Sequence, residues 1–197
     1  MFRSLRFHCA VLIGAGLVAL STPSAPAAAA PAGPVSAAEA HAAILDYASR
    51  MPAPSLSASA ADSSTLTLQP KSGGPSANLV ITCTAASRVL TASVVGTFYE
   101  VLGEATTSCP APVDYASVQA TLFLWVPDLD RWVELHTGSL GYDLPYKTPG
   151  KVLHSVASST CQARTYGVIG FHQARLGSSY ATAYTSSTSG PFSFCGG

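Results

Sequence analysis

The chain has 197 residues, and its 10 lysine and arginine residues balance its 10 aspartate and glutamate residues, so the formal net charge is zero. Only 10% of the residues are charged, and no run of either sign occurs along the sequence. Because nucleic acids and anionic membranes attract basic patches, we expect neither as a partner. The low charge also leaves few titratable groups for catalysis.

The first 30 residues have the organisation of a secretory signal peptide. Two arginines precede an uncharged apolar run from Cys9 to Leu20, and an Ala-x-Ala cleavage site ends at Ala30. The run is too short for a membrane span, which needs about 20 residues. We therefore expect residues 1–30 to be removed and the mature protein to begin near Pro31. The mature form is then secreted and extracellular, with no membrane association.

Residues 31–77 are expected to hold one helix and a linker. Ser36 and Glu39 form an S-x-x-E capping box, and apolar residues at helical spacing predict a helix over residues 37–50. The rest is rich in Ser, Ala, Pro and Gly and is interrupted only by TLTLQ, which predicts at most one edge strand. Whether the helix packs on the following domain stays open.

From residue 78 onward the hydrophobic period changes to two. The segments NLVITC, VLTASVV and FYEVLGEATTSC predict three short strands. The clearest pattern is SVQATLFLWVPDLDRWVELHTG, which predicts a hairpin around the turn PDLD. One face of its first strand is aliphatic and comprises Val118, Ala120, Leu122, Leu124 and Val126.

The last third of the chain predicts a loop over residues 138–150 and then further strands. Two long strands are expected near Cys161–Leu176 and Ser179–Ser187, followed by a short final strand that ends at Cys195. Short strands with frequent turn signals and no βαβ alternation predict a mainly β fold, an antiparallel immunoglobulin-like β-sandwich with a short N-terminal helix. We assign residues 78–197 to this domain.

Removal of the leader leaves four cysteines, Cys83, Cys109, Cys161 and Cys195. Four cysteines in an exported domain predict two disulfides, for which three pairings exist. Cys83 with Cys109 and Cys161 with Cys195 is favoured, because each pair flanks one contiguous β segment. The mature sequence has no C-x-x-C pair and no histidine a few residues from a cysteine, so neither a metal nor another cofactor is expected.

Three segments carry a resemblance to a known group of proteins: ITC with Cys109, LWVPDLDRW, and CQARTYGVIGFHQ with Cys195. From Leu79 to Cys195 the chain resembles uncharacterised secreted actinobacterial small β-sandwich proteins with two successive disulfide loops. The resemblance implies a β-sandwich and no particular activity. The subtilisin-inhibitor family is similar in size and disulfides, but CPAPVDY departs from its C-P-x-x-Y-D-P segment. Protease inhibition is therefore an alternative.

The sequence contains no pattern typical of a catalytic site. The histidines of the mature chain are His41, His136, His154 and His172, and no G-x-S-x-G elbow accompanies them. We therefore expect no catalytic residue.

The paired acids have simpler interpretations than glycoside hydrolysis. Asp128 and Asp130 lie at the PDLD turn, where aspartate is favoured for its hydrogen bonds to the backbone. Glu100 and Glu104 could meet across a bend, but two solvated side chains explain them equally well.

Four aromatic residues form the candidate binding surface. Trp125 and Trp132 flank the PDLD turn, where they form either a cross-strand packing pair or an exposed platform. Tyr180 and Tyr184 share one face of a predicted strand. The sequence thus predicts a secreted non-catalytic binding or structural module, whose partner is an extracellular protein or a cell-wall glycan. A secreted protease inhibitor and a secreted hydrolase are the alternatives.

Overall fold

The computed structural model describes residues 34–54, 62–69, 79–93, 99–192 and 195. The predicted signal peptide and much of the predicted linker lie outside these residues. Helix α1 spans Ala37–Ala48. The strands, in chain order, are β1 (Ser63–Leu68), β2 (Ile81–Ser93), β3 (Tyr99–Ser108), β4 (Tyr115–Val126), β5 (Arg131–Thr137), β6 (Gly141–Asp143), β7 (Val152–Thr160), β8 (Tyr166–Leu176) and β9 (Ser179–Ser189).

The strands form two antiparallel sheets that pack together around a shared hydrophobic core. Sheet 1 has the order β1-β2-β3-β7, and sheet 2 has the order β5-β4-β8-β9 with β6 pairing to β4. The predicted antiparallel β-sandwich is confirmed. In sheet 1 the consecutive strands β1, β2 and β3 lie side by side. In immunoglobulin constant domains, the sheet with strand order A-B-E-D instead pairs the second strand of the chain, B, with the fifth, E.

Strands β4 and β8 are the centre of the fold, because they are buried along most of their length. The side chains of successive residues point to opposite faces of a sheet, so burial of both faces requires a layer on each side. On the inner face, the predicted aliphatic residues Val118, Ala120 and Leu122 are fully buried against sheet 1. On the outer face, Phe123 lies beneath α1.

Helix α1 begins as the sequence predicts. The Ser36 hydroxyl accepts a hydrogen bond from the Glu39 amide, and the Glu39 carboxylate accepts one from the Ser36 amide, which completes the capping box. Its buried stripe of Ala40, Ile44 and Ala48 packs on aromatic and aliphatic residues of sheet 2. The helix therefore belongs to the domain, within one compact unit that spans residues 31–197.

Both predicted disulfide pairings are confirmed. Cys83 of β2 bonds to Cys109, directly after β3, and closes the hairpin of these two strands. Cys161 bonds to Cys195 and thus joins the residues that flank the hairpin of β8 and β9. Each disulfide therefore joins the two ends of one contiguous β segment, as expected from the positions of the cysteines in the sequence.

A chain of buried polar side chains crosses the core between the sheets. His172 of sheet 2 is fully buried, and its Nδ1 lies 2.8 Å from the Thr107 hydroxyl of sheet 1. Its Nε2 lies 2.7 Å from the hydroxyl of Thr185, which in turn lies 2.5 Å from the hydroxyl of Ser87 in sheet 1. Both ring nitrogens are therefore hydrogen-bonded, as a buried imidazole requires.

The hydrogen bonds around His172 determine which atom of each buried polar side chain carries the proton. Thr107 donates its hydroxyl proton to the Ser117 carbonyl, 3.3 Å away, and so accepts from Nδ1–H of His172. Nε2 then accepts from Thr185, which accepts from Ser87. This arrangement satisfies a neutral imidazole with one donor and one acceptor. Gly170 makes room for it, since a Cβ there would lie 2.5 Å from the Ser87 hydroxyl oxygen.

Several sequence-based boundaries need correction. Strand β7 was not predicted, and the expected loop over 138–150 contains β6. Strand β8 begins at Tyr166 and not at Cys161. The predicted final strand is absent from the described residues after β9. The sandwich also starts before residue 78, because β1 pairs with β2 as the edge strand of sheet 1.

We predict that Ile44→Ala lowers the free energy of unfolding by about 2–4 kcal/mol, because it leaves a cavity between α1 and sheet 2. Leu45 on the same helix is 39% exposed, so Leu45→Ala is the matched control and should cost less than about 1 kcal/mol. Urea unfolding of both variants measures the difference. Equal costs for the two variants would show that the helix does not pack as described.

We also predict that stability decreases with acidification below about pH 6.5. Burial lowers the pKa of His172 from 6.5 to about 3, so the unfolded chain binds a proton between these values and the folded chain does not. His172 then removes about 1.4 kcal/mol of stability per pH unit as the pH falls through this window. Urea unfolding between pH 7 and about pH 5.5 measures the slope, above the range where carboxylates titrate.

Two variants test the assignment to His172. His172→Gln should reduce stability at neutral pH and flatten the slope. His136 is exposed, so His136→Gln should leave the slope unchanged. A slope that is unaltered by His172→Gln would contradict the prediction.

Candidate functional site

The two outer faces of the sandwich differ. Helix α1 packs on the outer face of sheet 2, mainly against β8 and β4. The outer face of sheet 1 presents exposed side chains, among them Val152 and Val156, which are each 45% exposed. Because binding needs accessible groups, we take the outer face of sheet 1 as the candidate site.

Strand register brings three ionisable residues together on this face. Arg88 of β2 lies directly opposite Glu104 of β3, and its Nε donates to Oε2 of Glu104 over 2.5 Å. His154 of β7 lies opposite Thr106, and its Nδ1 is 2.7 Å from Oε1 of Glu104. One carboxylate therefore holds a guanidinium and an imidazole, and we call these three residues the charge cluster.

The Glu104 side chain is only 10% exposed, whereas those of Arg88 and His154 are 58% and 52% exposed. Burial alone would raise the pKa of Glu104, but hydrogen bonds from His154 and Arg88, together with their charges, hold it below its ordinary value. Glu104 is therefore ionised at neutral pH. It acts as an anchor that orients two exposed groups, since its own oxygens are occupied.

The cluster borders a shallow groove of about 310 Å³, lined in part by Ala86, Thr106 and Val152. Because Nδ1 of His154 is bound to Glu104, Nε2 on the far side of the ring is left for a ligand. The guanidinium of Arg88 has further N–H donors beyond the one that Glu104 accepts. The arrangement offers oriented hydrogen-bonding groups beside exposed aliphatic side chains.

Sequence reasoning missed this cluster, because its members are separated by 16 and 50 residues and only the register joins them. Glu104 was considered only as a partner of Glu100 across a bend. In the structure both glutamates lie on β3, where Glu100 is opposite Thr160. The one available signal was an acidic residue, Glu104, within a strand whose neighbouring residues are buried.

Of the predicted binding surface, the two tryptophans lie opposite each other in β4 and β5. Trp125 and Trp132 form an edge-to-face pair with ring centroids 5.3 Å apart. Trp132 is only 9% exposed, and its indole N–H donates to the Pro52 carbonyl over 3.0 Å. The pair is therefore a packing pair beneath the segment that follows α1, and not an exposed platform.

The two tyrosines are also engaged within the domain. The Tyr180 hydroxyl accepts from the Gln173 amide over 2.5 Å, and burial raises the pKa of this phenol well above its ordinary value. Tyr184 stacks on Tyr47 of α1 with centroids 4.9 Å apart. The four aromatic residues thus do not form one open surface, because the helix and its C-terminal extension pack on two of them.

The other residues considered for catalysis have structural partners or lie at the surface. His41 is 2.9 Å from Glu134 and so joins α1 to β5. His172 is buried in the core, and His136 is exposed. Asp128 lies in the short 3-10 helix of the PDLD turn, and Asp130 ends it with a φ of 47°. The predicted turn position of both aspartates is confirmed.

The segment CPAPVDY, at the position compared with the inhibitor family's C-P-x-x-Y-D-P segment, is bound to the domain at its C-terminal end. The Val113 amide donates to the Tyr146 carbonyl over 3.0 Å, and the Asp114 amide donates to the Arg175 carbonyl over 2.8 Å. Val113 itself is 4% exposed. An inhibitory loop protrudes to reach a protease cleft, whereas this segment is anchored to the domain at Val113 and Asp114.

A larger cavity of about 550 Å³ lies between the C-terminal end of α1 and β9. Arg50 is the charged residue in its lining, and this side chain pairs with Asp46 over 2.8 Å. Pro52 to Pro54 form another part of the wall. With fewer converging polar groups, it is a weaker candidate than the charge cluster.

Within residues 34–54, 62–69, 79–93 and 99–192, no three His, Cys, Asp or Glu side chains lie close enough to hold a metal ion. No helix in these ranges has the length and apolar character that a membrane span requires. The chain matches no family model, no curated protein and no solved structure.

Proposed function

We propose that this protein is a secreted, non-catalytic binding module that contacts an extracellular protein through the outer face of sheet 1. The observation that carries the proposal is the charge cluster, in which buried Glu104 orients Arg88 and His154 on an open four-stranded face. An arginine held in place beside exposed aliphatic residues is typical of the anchors found in protein interfaces.

Preorganisation supports a binding role. Arg88 and His154 each have a side chain fixed by Glu104 on a disulfide-bonded sandwich. Ordering a flexible side chain on binding costs about 0.5–1.5 kcal/mol, and a side chain already held in place avoids part of that cost. Val152 and Val156 on the same strand as His154 supply apolar contact area.

A hydrolase is supported less well by the same contacts. His154 and Glu104 form a base-and-carboxylate pair, but within the described residues no hydroxyl or thiol is hydrogen-bonded to His154. An activated nucleophile needs that contact. The pair also lies on an open face, where water reaches the groove and weakens electrostatic stabilisation of a transition state.

A protein partner is favoured over a cell-wall glycan. Stacking of sugar rings requires exposed aromatic faces, and Trp132 and Tyr184 are covered by helix α1 and the residues after it. The exposed Tyr142 lies on β6 of sheet 2, and the exposed Tyr99 does not share the outward-facing positions of Glu104 on β3. The open face instead presents an arginine beside exposed aliphatic side chains, and arginine is enriched in protein interfaces.

Export is part of the proposal. The Cys83–Cys109 and Cys161–Cys195 disulfides fit an extracellular protein, since such bonds persist mainly in oxidising compartments. We place the mature N terminus near Pro31, after the Ala-x-Ala site.

The test starts from the full chain expressed in a bacterium that exports it, with the N terminus of the released form sequenced. Mature protein is then immobilised and titrated with extracellular proteins and with purified cell wall of the source organism. We predict saturable binding of a protein that Val156→Arg weakens at least about tenfold, because a bulky charge then lies directly beside Glu104 on the binding face. Arg88→Ala should weaken it similarly.

Leu129→Arg is the matched control, because Leu129 is an exposed apolar residue, 54% accessible, in the turn between β4 and β5 of sheet 2. It should leave binding unchanged. Binding that survives Val156→Arg and is lost in Leu129→Arg would contradict the assignment to sheet 1. Turnover of ester, peptide or glycosidic substrates that His154→Ala abolishes would contradict the non-catalytic role.

A further inference from the structure

Apart from the three-residue strand β6 beside β5, the described sandwich has four edge strands, which are β1 and β7 in sheet 1 and β5 and β9 in sheet 2. An edge strand presents unpaired backbone N–H and C=O groups, which can pair with a strand of another chain. Proteins that stay monomeric protect such edges by short length, charged residues, bulges or a covering segment.

Three of these edges have such protection. Strand β1 has only 6 residues. Strand β5 carries Arg131 and Glu134, and its pairing with β4 contains a register shift. Along β7 the segment with Gly138 and Gly141 packs directly on the backbone, since a Cβ at either glycine would collide with a carbonyl oxygen of β7.

Among the described residues, the backbone edge of strand β9 has none of these features, although at its first residue the Ser179 hydroxyl accepts a hydrogen bond from the Gln69 amide over 2.8 Å. Its 11 residues contain no charged side chain and no proline. Its register with β8 is continuous from Tyr166 opposite Ser189 to Leu176 opposite Ser179. Within the described chain, its backbone hydrogen bonds go to β8 alone. A long, regular and uncharged edge is the kind that accepts another strand.

The hairpin geometry identifies which backbone groups point outward. β8 and β9 are joined by the two-residue turn Gly177–Ser178, so Leu176 and Ser179 form the hydrogen-bonded pair that closes it. Hydrogen-bonded and non-hydrogen-bonded pairs alternate along an antiparallel ladder. Thr182, opposite Gln173, therefore directs its N–H and C=O away from β8. The same alternation applies to Tyr180 and Tyr184.

We propose that β9 pairs with β9 of a second copy of this chain, antiparallel about a two-fold axis at Thr182, so that sheet 2 continues across a homodimer. The other end of β9 is less accessible, because Ser186 and Thr188 line a cavity together with Pro52 to Pro54. The pairing therefore uses the half of β9 from Ser179 to Tyr184.

The sequence of this half is self-complementary. An axis at Thr182 places Tyr180 of one copy beside Tyr184 of the other, and Ala181 beside Ala183. Cross-strand aromatic pairs stabilise antiparallel sheets, and no like charges meet. A two-fold axis makes the contact closed, which limits assembly to a dimer. This inference does not depend on the proposed function, because the charge cluster lies on sheet 1.

Sedimentation velocity of mature protein over a concentration range from about 1 μM to about 500 μM tests the proposal, since association follows mass action. We expect a species of twice the monomer mass that dissociates on dilution. Thr182→Lys should raise the dimer dissociation constant at least about tenfold, because two lysines meet at the axis. Thr182→Pro should do the same, since it removes the outward N–H while the bonds to β8 remain.

Thr82→Lys is the matched control, because Thr82 is an equally exposed threonine on β2, an interior strand. It should leave the dissociation constant unchanged, and far-ultraviolet circular dichroism checks that each variant is folded. A parent protein that is monomeric over the whole range would overturn the proposal. Dimers that persist unchanged in both Thr182 variants would overturn it as well.

Discussion

Packing of helix α1 on the outer face of sheet 2 is the interaction on which the other features of the domain depend. Ile44 and its neighbours in the buried stripe cover Phe123, Phe171 and Trp132, which would otherwise form a large exposed aromatic patch. The central strands β4 and β8 of sheet 2 are thereby buried on both faces, while sheet 1 keeps one face open. The helix thus decides which surface of the sandwich is available to a partner.

The disulfides and the buried polar chain stabilise the sandwich in different ways. Each disulfide closes a hairpin and so restrains pairing within a segment. The polar chain through His172 instead joins the two sheets, from Ser87 and Thr107 on one side to Thr185 on the other. A hydrogen-bonded chain of this kind is satisfied in only one alignment of the sheets, so it specifies how they stack.

Helix α1 and the hairpin of β4 and β5 could be predicted because short sequence patterns specify them. The capping box at Ser36 and Glu39 defined the start of α1, and alternation around the PDLD turn predicted the hairpin of β4 and β5. Strand β7 was missed because VLHSVASST carries too few large apolar residues, although Leu153 and Ala157 are buried in it.

Features that depend on distant contacts could not be predicted in this way. The two tryptophans were correctly placed opposite each other, but Trp132 is covered by Pro52, 80 residues earlier in the chain. The charge cluster depends on the register of three strands, and no spacing in the sequence brings Glu104 to His154.

Amide hydrogen exchange of the mature protein tests the central claim, which is that α1 is an integral part of the domain. A helix of 12 residues is marginal on its own in water, so any strong protection must come from packing on sheet 2. We predict that the amides of Ile44 and Ala48 exchange as slowly as those at the centre of β4. Rapid exchange throughout α1, with β4 and β8 still protected, would contradict the account.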